Sequence, residues 1–214
     1  MCGRFTLTER DVASLARAWA AEVDGALAAG WRPRYNVAPG DRHLVLRATA
    51  AGRRLEQAVF GLPAPGGTLH VNARVETAGS RPAFSDAWRL RRCAVPADGF
   101  FEWDGPAGAR RPTWFHRADG RPLLLAAILG ASRDGGLAFA ILTTGANAEV
   151  RRLHDRMPVI VAEERLDAWL SGPPPVLAAP ADGLLAERAV SARVNSVEND
   201  DPGCLAPEPQ LRLL

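Results

Sequence analysis

The chain has 214 residues and 47% hydrophobic content, enough for one domain or a tight pair around an ordinary core. Its formal net charge of +2 singles out no class of partner. No apolar run approaches the ~20 residues needed to cross a bilayer, and the N-terminus lacks the sections of a signal peptide, so a cytoplasmic protein is expected.

In chain order, "TERDVASLARAWAAEV" has apolar residues at helical spacing, with Thr8 as the expected N-cap. "WRPRYNVAPGD" is punctuated by Pro33, Pro39 and Gly40 and reads as a loop. "HLVLRA" and "LEQAVFGL" read as strands, and "APGGTLHVNARVETAGSRP" as a loop and turn holding a short helix. "AFSDAWRLRR" is helical, and "CAVPADGFFEW" is a strand broken between Pro96 and Gly99. "RPTWFHRADGRPLLLAAILGAS" reads as a hairpin turning at "ADGR". "LAFAILTT" and "RMPVIVA" are strands, with the short helix "ANAEVRRLHD" between them. "EERLDAWLSG" is a helix ending at Gly172, "PPPVLAAPADG" a loop, and "ERAVSARVNSVEND" a last strand and turn. The predominance of short strands predicts an α+β domain with an antiparallel, barrel-like β core and flanking short helices. The domain is expected over residues 1–202, with a C-terminal tail at 203–214.

The first two residues pose the chemical question. Removal of Met1 would leave Cys2 with an α-amine and a thiol on adjacent carbons. Such a 1,2-aminothiol condenses with an aldehyde to an imine, which the thiol then closes to a thiazolidine. An α-amine has a pKa of about 7.7–8.0, against about 10.4 for lysine, so far more of it is free base at neutral pH. All 26 basic residues are arginine, which excludes lysine Schiff-base chemistry and lysine-anchored pyridoxal phosphate. The bland alternative is a cysteine at an unimportant terminus. Cys93 reads as a buried thiol and Cys204 as a tail residue, and three scattered cysteines form neither a disulfide framework nor a zinc site.

Glu102 lies between Phe101 and Trp103. It either faces water by strand alternation or is desolvated by its neighbours, which raises a carboxylate's pKa and suits it to proton transfer. His154, before Asp155 and Arg156, is either a packing histidine or one that titrates near neutrality. His43, His70 and His116 lack metal-ligand spacing. Asn72 and Arg74 share a face if their segment is extended; asparagine orients hydroxyls or amines, and arginine forks onto phosphate. "RYNVAPG" adds Arg34, Asn36 and a rigid Pro39.

"MCGRF", "PRYNVAPG", "VNARVET", "RCAVPADGFFEW", "ILTTGAN", "HDRMPVIV" and "VNSVEND" occur in this order. Together they closely resemble the SRAP family (SOS response-associated peptidase-like, abasic-site-processing proteins) from Met1 to about Pro202. The resemblance implies a DNA-damage protein that removes its own Met1, as a peptidase would. It would capture the ring-opened aldehyde of an abasic site in single-stranded DNA as a thiazolidine crosslink, shielding the lesion. By motif, Cys2 would be the nucleophile, and Asn72 would hold its amine and the opened sugar. Glu102 would move protons and assist Met1 removal, and His154 would act on the sugar hydroxyl. Arg4 and Arg74 would grip phosphates, and Trp103, Thr143 and Pro39 would shape the DNA-binding pocket. No metal, cofactor or membrane is implied, and a monomer is the default. Imine chemistry also implies a lyase-like strand cleavage as a side reaction.

The chain departs from the family where "WGL.P.W" is usual: "AVFGLPAPGG" has Phe60 and a shortened loop. A smaller stacking ring there is expected to weaken DNA binding. The competing readings are an N-terminal-nucleophile amidohydrolase or peptidase, and a non-catalytic reader of modified or single-stranded DNA.

Overall fold

A computed structural model describes residues 3–106 and 108–208. The chain opens with β1 (Phe5–Leu7), α1 (Val12–Ala18), β2 (Ala21–Val23), α2 (Gly25–Gly30) and β3 (Arg34–Val37). The hairpin β4 (Arg42–Thr49) and β5 (Gly52–Phe60) follows, then the short strands β6 (Leu62–Pro63), β7 (Leu69–His70) and β8 (Asn72–Arg74). Helices α3 (Val75–Ala78) and α4 (Ser85–Leu90) lead into β9 (Arg92–Ala97), β10 (Gly99–Asp104), β11 (Arg111–Arg117), β12 (Leu123–Ala131) and β13 (Leu137–Gly145). The chain closes through α5 (Ala148–Arg151), β14 (Arg156–Pro158), α6 (Leu166–Ser171) and β15 (Leu185–Ala189). Two short 3₁₀ turns follow, at Ala192–Asn195 and Pro202–Leu205.

These elements form an α+β fold on two main sheets. One sheet runs β15-β11-β10-β1-β3 and is antiparallel throughout. The other runs β14-β13-β12-β9-β4-β5-β2. It is mixed rather than purely antiparallel, because β2 and β13 each pair with β5 in parallel and β8 pairs with β13 in parallel. The β13–β5 pairing, Phe139 opposite Phe60, joins the two ends of the path β5-β4-β9-β12-β13, so hydrogen bonding runs around a ring of five strands.

β9, β12 and β13 and the first half of β4 are buried on both faces, which explains their apolar runs, while β5 alternates between buried and exposed residues. Leu44, Leu46, Ala94, Leu124, Ala126 and Ile128 pack outward against Val12, Leu15 and Trp169 of the helices. The intervening Val45, Cys93, Val95, Leu123 and Leu125 face a second core with Phe5, Phe100, Phe115 and Phe139. Each Val, Leu, Ile or Phe among them, fully buried, contributes about 1.5–3 kcal/mol.

Three sequence expectations change. Asp11, not Thr8, caps α1: its carboxylate accepts from Ser14 N at 3.1 Å, while the Thr8 amide donates to Asp98. Residues 34–37 are a strand, not a loop, pairing with β1 inside the flanking prolines. β11 and β12 are not a hairpin. β11 pairs with β10 and β15, β12 with β9 and β13, so the turn between them carries the chain from one sheet to the other. Residues 203–207 pack on the body: Cys204 is fully buried and Pro207 bridges to Val190.

Candidate active site

Alternation along β10 decides the orientation of Glu102. Phe100 enters the core between the sheets and Phe101 the opposite face, beside Val190 and Val194. Glu102 therefore takes the Phe100 side and is only 3% exposed. Burial pushes its carboxyl up from the ordinary range to about 7. It opens into a cleft of about 850 Å³ that also holds Gly3, Arg4, Pro39, Trp103 and His154. Gly105, Gly108, Arg110, Asn195 and Val197 also line it. Cys2 lies outside the described residues; its chain neighbour Gly3 lines the cleft.

His154 sits in the turn between α5 and β14. Its Nδ1 accepts a hydrogen bond from the Arg156 amide at 2.9 Å and also lies 3.0 Å from Asp155 Oδ1. Burial lowers its pKa, so the neutral ring dominates near pH 7. With Nδ1 accepting from an amide, the ring proton of that neutral form sits on Nε2. Protonation would let Nδ1 donate to Asp155 instead.

Arg4 is half-buried and much of its donor capacity is spent inside the protein. It donates to Asn36 Oδ1 at 2.7 Å and to the Val194 carbonyl at 3.0 Å, and its guanidinium lies 5.8 Å from the Trp103 ring centroid. Trp103 Nε1 in turn donates to Asn195 Oδ1 at 2.7 Å, and Asn195 Nδ2 to the Arg110 carbonyl at 3.0 Å. A connected wall thus fixes the indole.

Asn72, Arg74 and Thr143 come together on β8 and β13. The parallel pairing of β8 with β13 places Arg74 opposite Thr143 and Asn72 opposite Ile141. With His70, Thr77 and Arg81 they line a groove of about 450 Å³. Arg156 couples the two cavities. Its amide reaches His154, and its guanidinium donates to the Thr143 carbonyl at 2.6 Å and to both Glu76 carboxylate oxygens at 2.8 Å. That pairing with Arg156 holds the Glu76 carboxyl below its ordinary range.

Phe60 corrects an expectation. It is fully buried and stacks on Phe139 at 5.1 Å, with Phe5 edge-on. Its ring packs the core and is unavailable for base stacking. Among the described residues no three His, Cys, Asp or Glu side chains are arranged to hold a metal ion, and no helix is long and apolar enough to cross a membrane.

Residues 1–197 match the family SOS response associated peptidase (SRAP). The chain belongs to this family. It is 33% identical over 180 residues to the abasic site processing protein YedK of Escherichia coli, covering 79% of each chain. It is 28% identical over 225 residues to the abasic site processing protein HMCES of Gallus gallus, covering 83% of this chain and 67% of that one. A crystal structure of a Bordetella bronchiseptica protein superposes with a TM-score of 0.73 at 25% identity, over 89% of this chain and all of that one. A Bacteroides thetaiotaomicron protein shares the fold, with a TM-score of 0.81 at 19% identity over 96% of this chain and 99% of that one.

Two of the SRAP motifs in this chain are halves of one clasp. Asn36 of "PRYNVAPG" is fully buried, and its Nδ2 donates to the carbonyls of Val194, Ser196 and Asn199 at 3.2, 2.9 and 2.7 Å. Asp200 of "VNSVEND" accepts from the amides of Tyr35 and Asn36 and from Arg34. The clasp places Asn195 against Trp103. The sequence reading missed Asn195, Arg110, Arg81 and Arg156 as site residues. The unassigned polar run "NSVEND" was the available signal for the first of these.

Proposed function

We propose that this SRAP protein processes abasic sites in single-stranded DNA by forming a thiazolidine crosslink through Cys2, exposed by removal of Met1. The observation that carries the reading is the buried Glu102 carboxyl, in one cleft with His154 and with the residue that follows Cys2. The names of the relatives support the lesion class.

His154, with its proton on Nε2, would donate toward the sugar as the closed hemiacetal opens to the aldehyde. The free α-amine of Cys2 would add to C1′ to give a carbinolamine. Glu102 in its acid form would protonate the departing hydroxyl, which leaves as water, and the imine forms. The thiol sulfur would then add to the imine carbon, and its proton passes to nitrogen. One water is lost in total, with no oxidant or reductant. Glu102 titrating near 7 suits both giving and regaining that proton.

Asn72 and Thr143, in the adjoining groove, would orient the opened sugar, and Arg74 would take a flanking phosphate. Arg4 is a positioning residue in this scheme, holding Trp103 and the 194–195 backbone. Pro39 shapes the mouth. An abasic nucleotide costs less to extrude than a stacked one, and a single strand lowers that cost further.

A denaturing gel of the protein mixed with an oligonucleotide containing one abasic site tests the proposal. A slow covalent band is expected with wild type, and none with Cys2→Ala or with undamaged oligonucleotide. Amide hydrolysis by the mature protein with no such band would favour the amidohydrolase reading instead.

A further inference from the structure

The helix α5 is four residues long, too short to hold itself in place, and its first turn is gripped by a distant segment. Its N-cap Asn147 accepts from the Val150 amide at 3.3 Å, so the Ala148 amide needs another acceptor. The Asp182 carboxylate supplies it, at 3.0 Å. In return the Gly183 amide donates to the Glu149 carboxylate. Gly183 has φ +88°, a left-handed turn that glycine adopts without strain, and its amide meets Glu149 from this turn. Near the other end of the helix, Arg152 pairs with Glu187 of β15 at 2.6 Å.

His154 hangs from the end of this helix. Its amide donates to the Val150 carbonyl at 3.0 Å, as the Leu153 amide does at 2.9 Å, and its ring accepts from the Arg156 amide. A path of direct contacts therefore runs from residues 182–187 through α5 to the imidazole in the cleft. Position matters there, because a misplacement of about 1 Å at a reacting group can cost about 10²-fold in rate.

We propose that Asp182, Gly183 and Glu187 are positioning residues for His154: together they fix α5, and through it the place from which Nε2 meets the sugar as its ring opens. The proposal rests on the abasic-site reading and adds to it a segment, late in the chain, that sets the rate of ring opening.

The test uses full-length Asp182→Ala and Asp182→Asn, each made with His154 intact and with His154→Ala. Asp182 is exposed, so neither substitution disturbs a core. With saturating single-stranded abasic oligonucleotide and His154 in place, Asp182→Ala should crosslink about three- to tenfold more slowly than wild type. Asp182→Asn keeps an acceptor for the Ala148 amide and should restore most of that rate. On the His154→Ala background, which captures only sugar that has opened unaided, Asp182→Ala should cost nothing further. Binding of a non-reactive tetrahydrofuran analogue should be unchanged, while amide exchange at Leu153 and His154 should quicken. An equal fractional loss on the His154→Ala background, a wild-type rate in Asp182→Ala, or unchanged exchange at His154 would overturn the proposal, and each leaves crosslinking by wild type intact. Conversely, a wild type that forms no covalent band, while Asp182→Ala still quickens exchange at His154, would refute the proposed function alone.

Discussion

Glu102→Gln isolates the electrostatic cost of the buried carboxyl. The folded protein holds its proton up to about pH 7, while an unfolded glutamate releases it near 4.5. Between these values the folded state binds more protons, so stability falls as pH rises through this window. At 1.36 kcal/mol for each pKa step, the ionised carboxylate costs at most about 3 kcal/mol above pH 7. Glutamine keeps the shape and does not ionise. The variant should match wild type near pH 4 and exceed it by up to about 3 kcal/mol at pH 8, or roughly 6–12 °C in Tm for a chain of this size. Urea titrations at both pH values give the difference. The crosslinking rate should move the opposite way, falling in the variant and losing its inflection near pH 7. A stability gap that is the same at pH 4 and pH 8 would show that Glu102 ionises normally and would remove its role as the acid.

Two further substitutions test the frame around the site. Arg92 is 5% exposed and donates to the carbonyls of Trp169, Trp88 and Arg89 at 2.6, 2.9 and 2.9 Å and to that of Gly172, tying the ends of α4 and α6 together. Arg92→Met should cost about 3 kcal/mol in urea unfolding, since these carbonyls lose a charged donor, while the crosslinking rate of the folded protein stays unchanged; a loss below about 1 kcal/mol would contradict this account. Asn36→Ala opens the clasp and should cost about 2 kcal/mol. It should also free the 194–200 segment, read as faster amide exchange there and weaker DNA binding; unchanged exchange would mean that Asp200 alone closes the clasp.

Much of the fold is legible in the sequence because most ring strands are apolar on both faces and bounded by turns. Partners are less legible than elements. β11 and β12 flank a good turn, and period-2 patterning says nothing about whether two such strands pair or part into different sheets. β3 was hidden by its flanking prolines, although Asn36 and Val37 are fully buried. At the N-terminus of α1 the expected cap Thr8 gives way to Asp11, whose carboxylate accepts from the Ser14 amide. Glu102 illustrates the same limit at the site. Its aromatic neighbours announced a strand but not which face met water, and the packing of Phe100 into the core between the sheets decided it. Asn72 and Thr143 lie far apart in the sequence, and only the parallel seating of β8 on β13 shows that they share a groove.

The central claim is that both the amine and the thiol of Cys2 bond to one carbon of the lesion. Intact mass of the protein mixed with a single-stranded abasic oligonucleotide tests it most directly, with borohydride treatment in parallel. The account predicts the mass of the chain without Met1 plus the oligonucleotide less one water, unchanged by borohydride. With Cys2→Ser, the account predicts an adduct that survives only when borohydride reduces it. An adduct that retains Met1, or one that forms equally well and resists borohydride in Cys2→Ser, would contradict the thiazolidine.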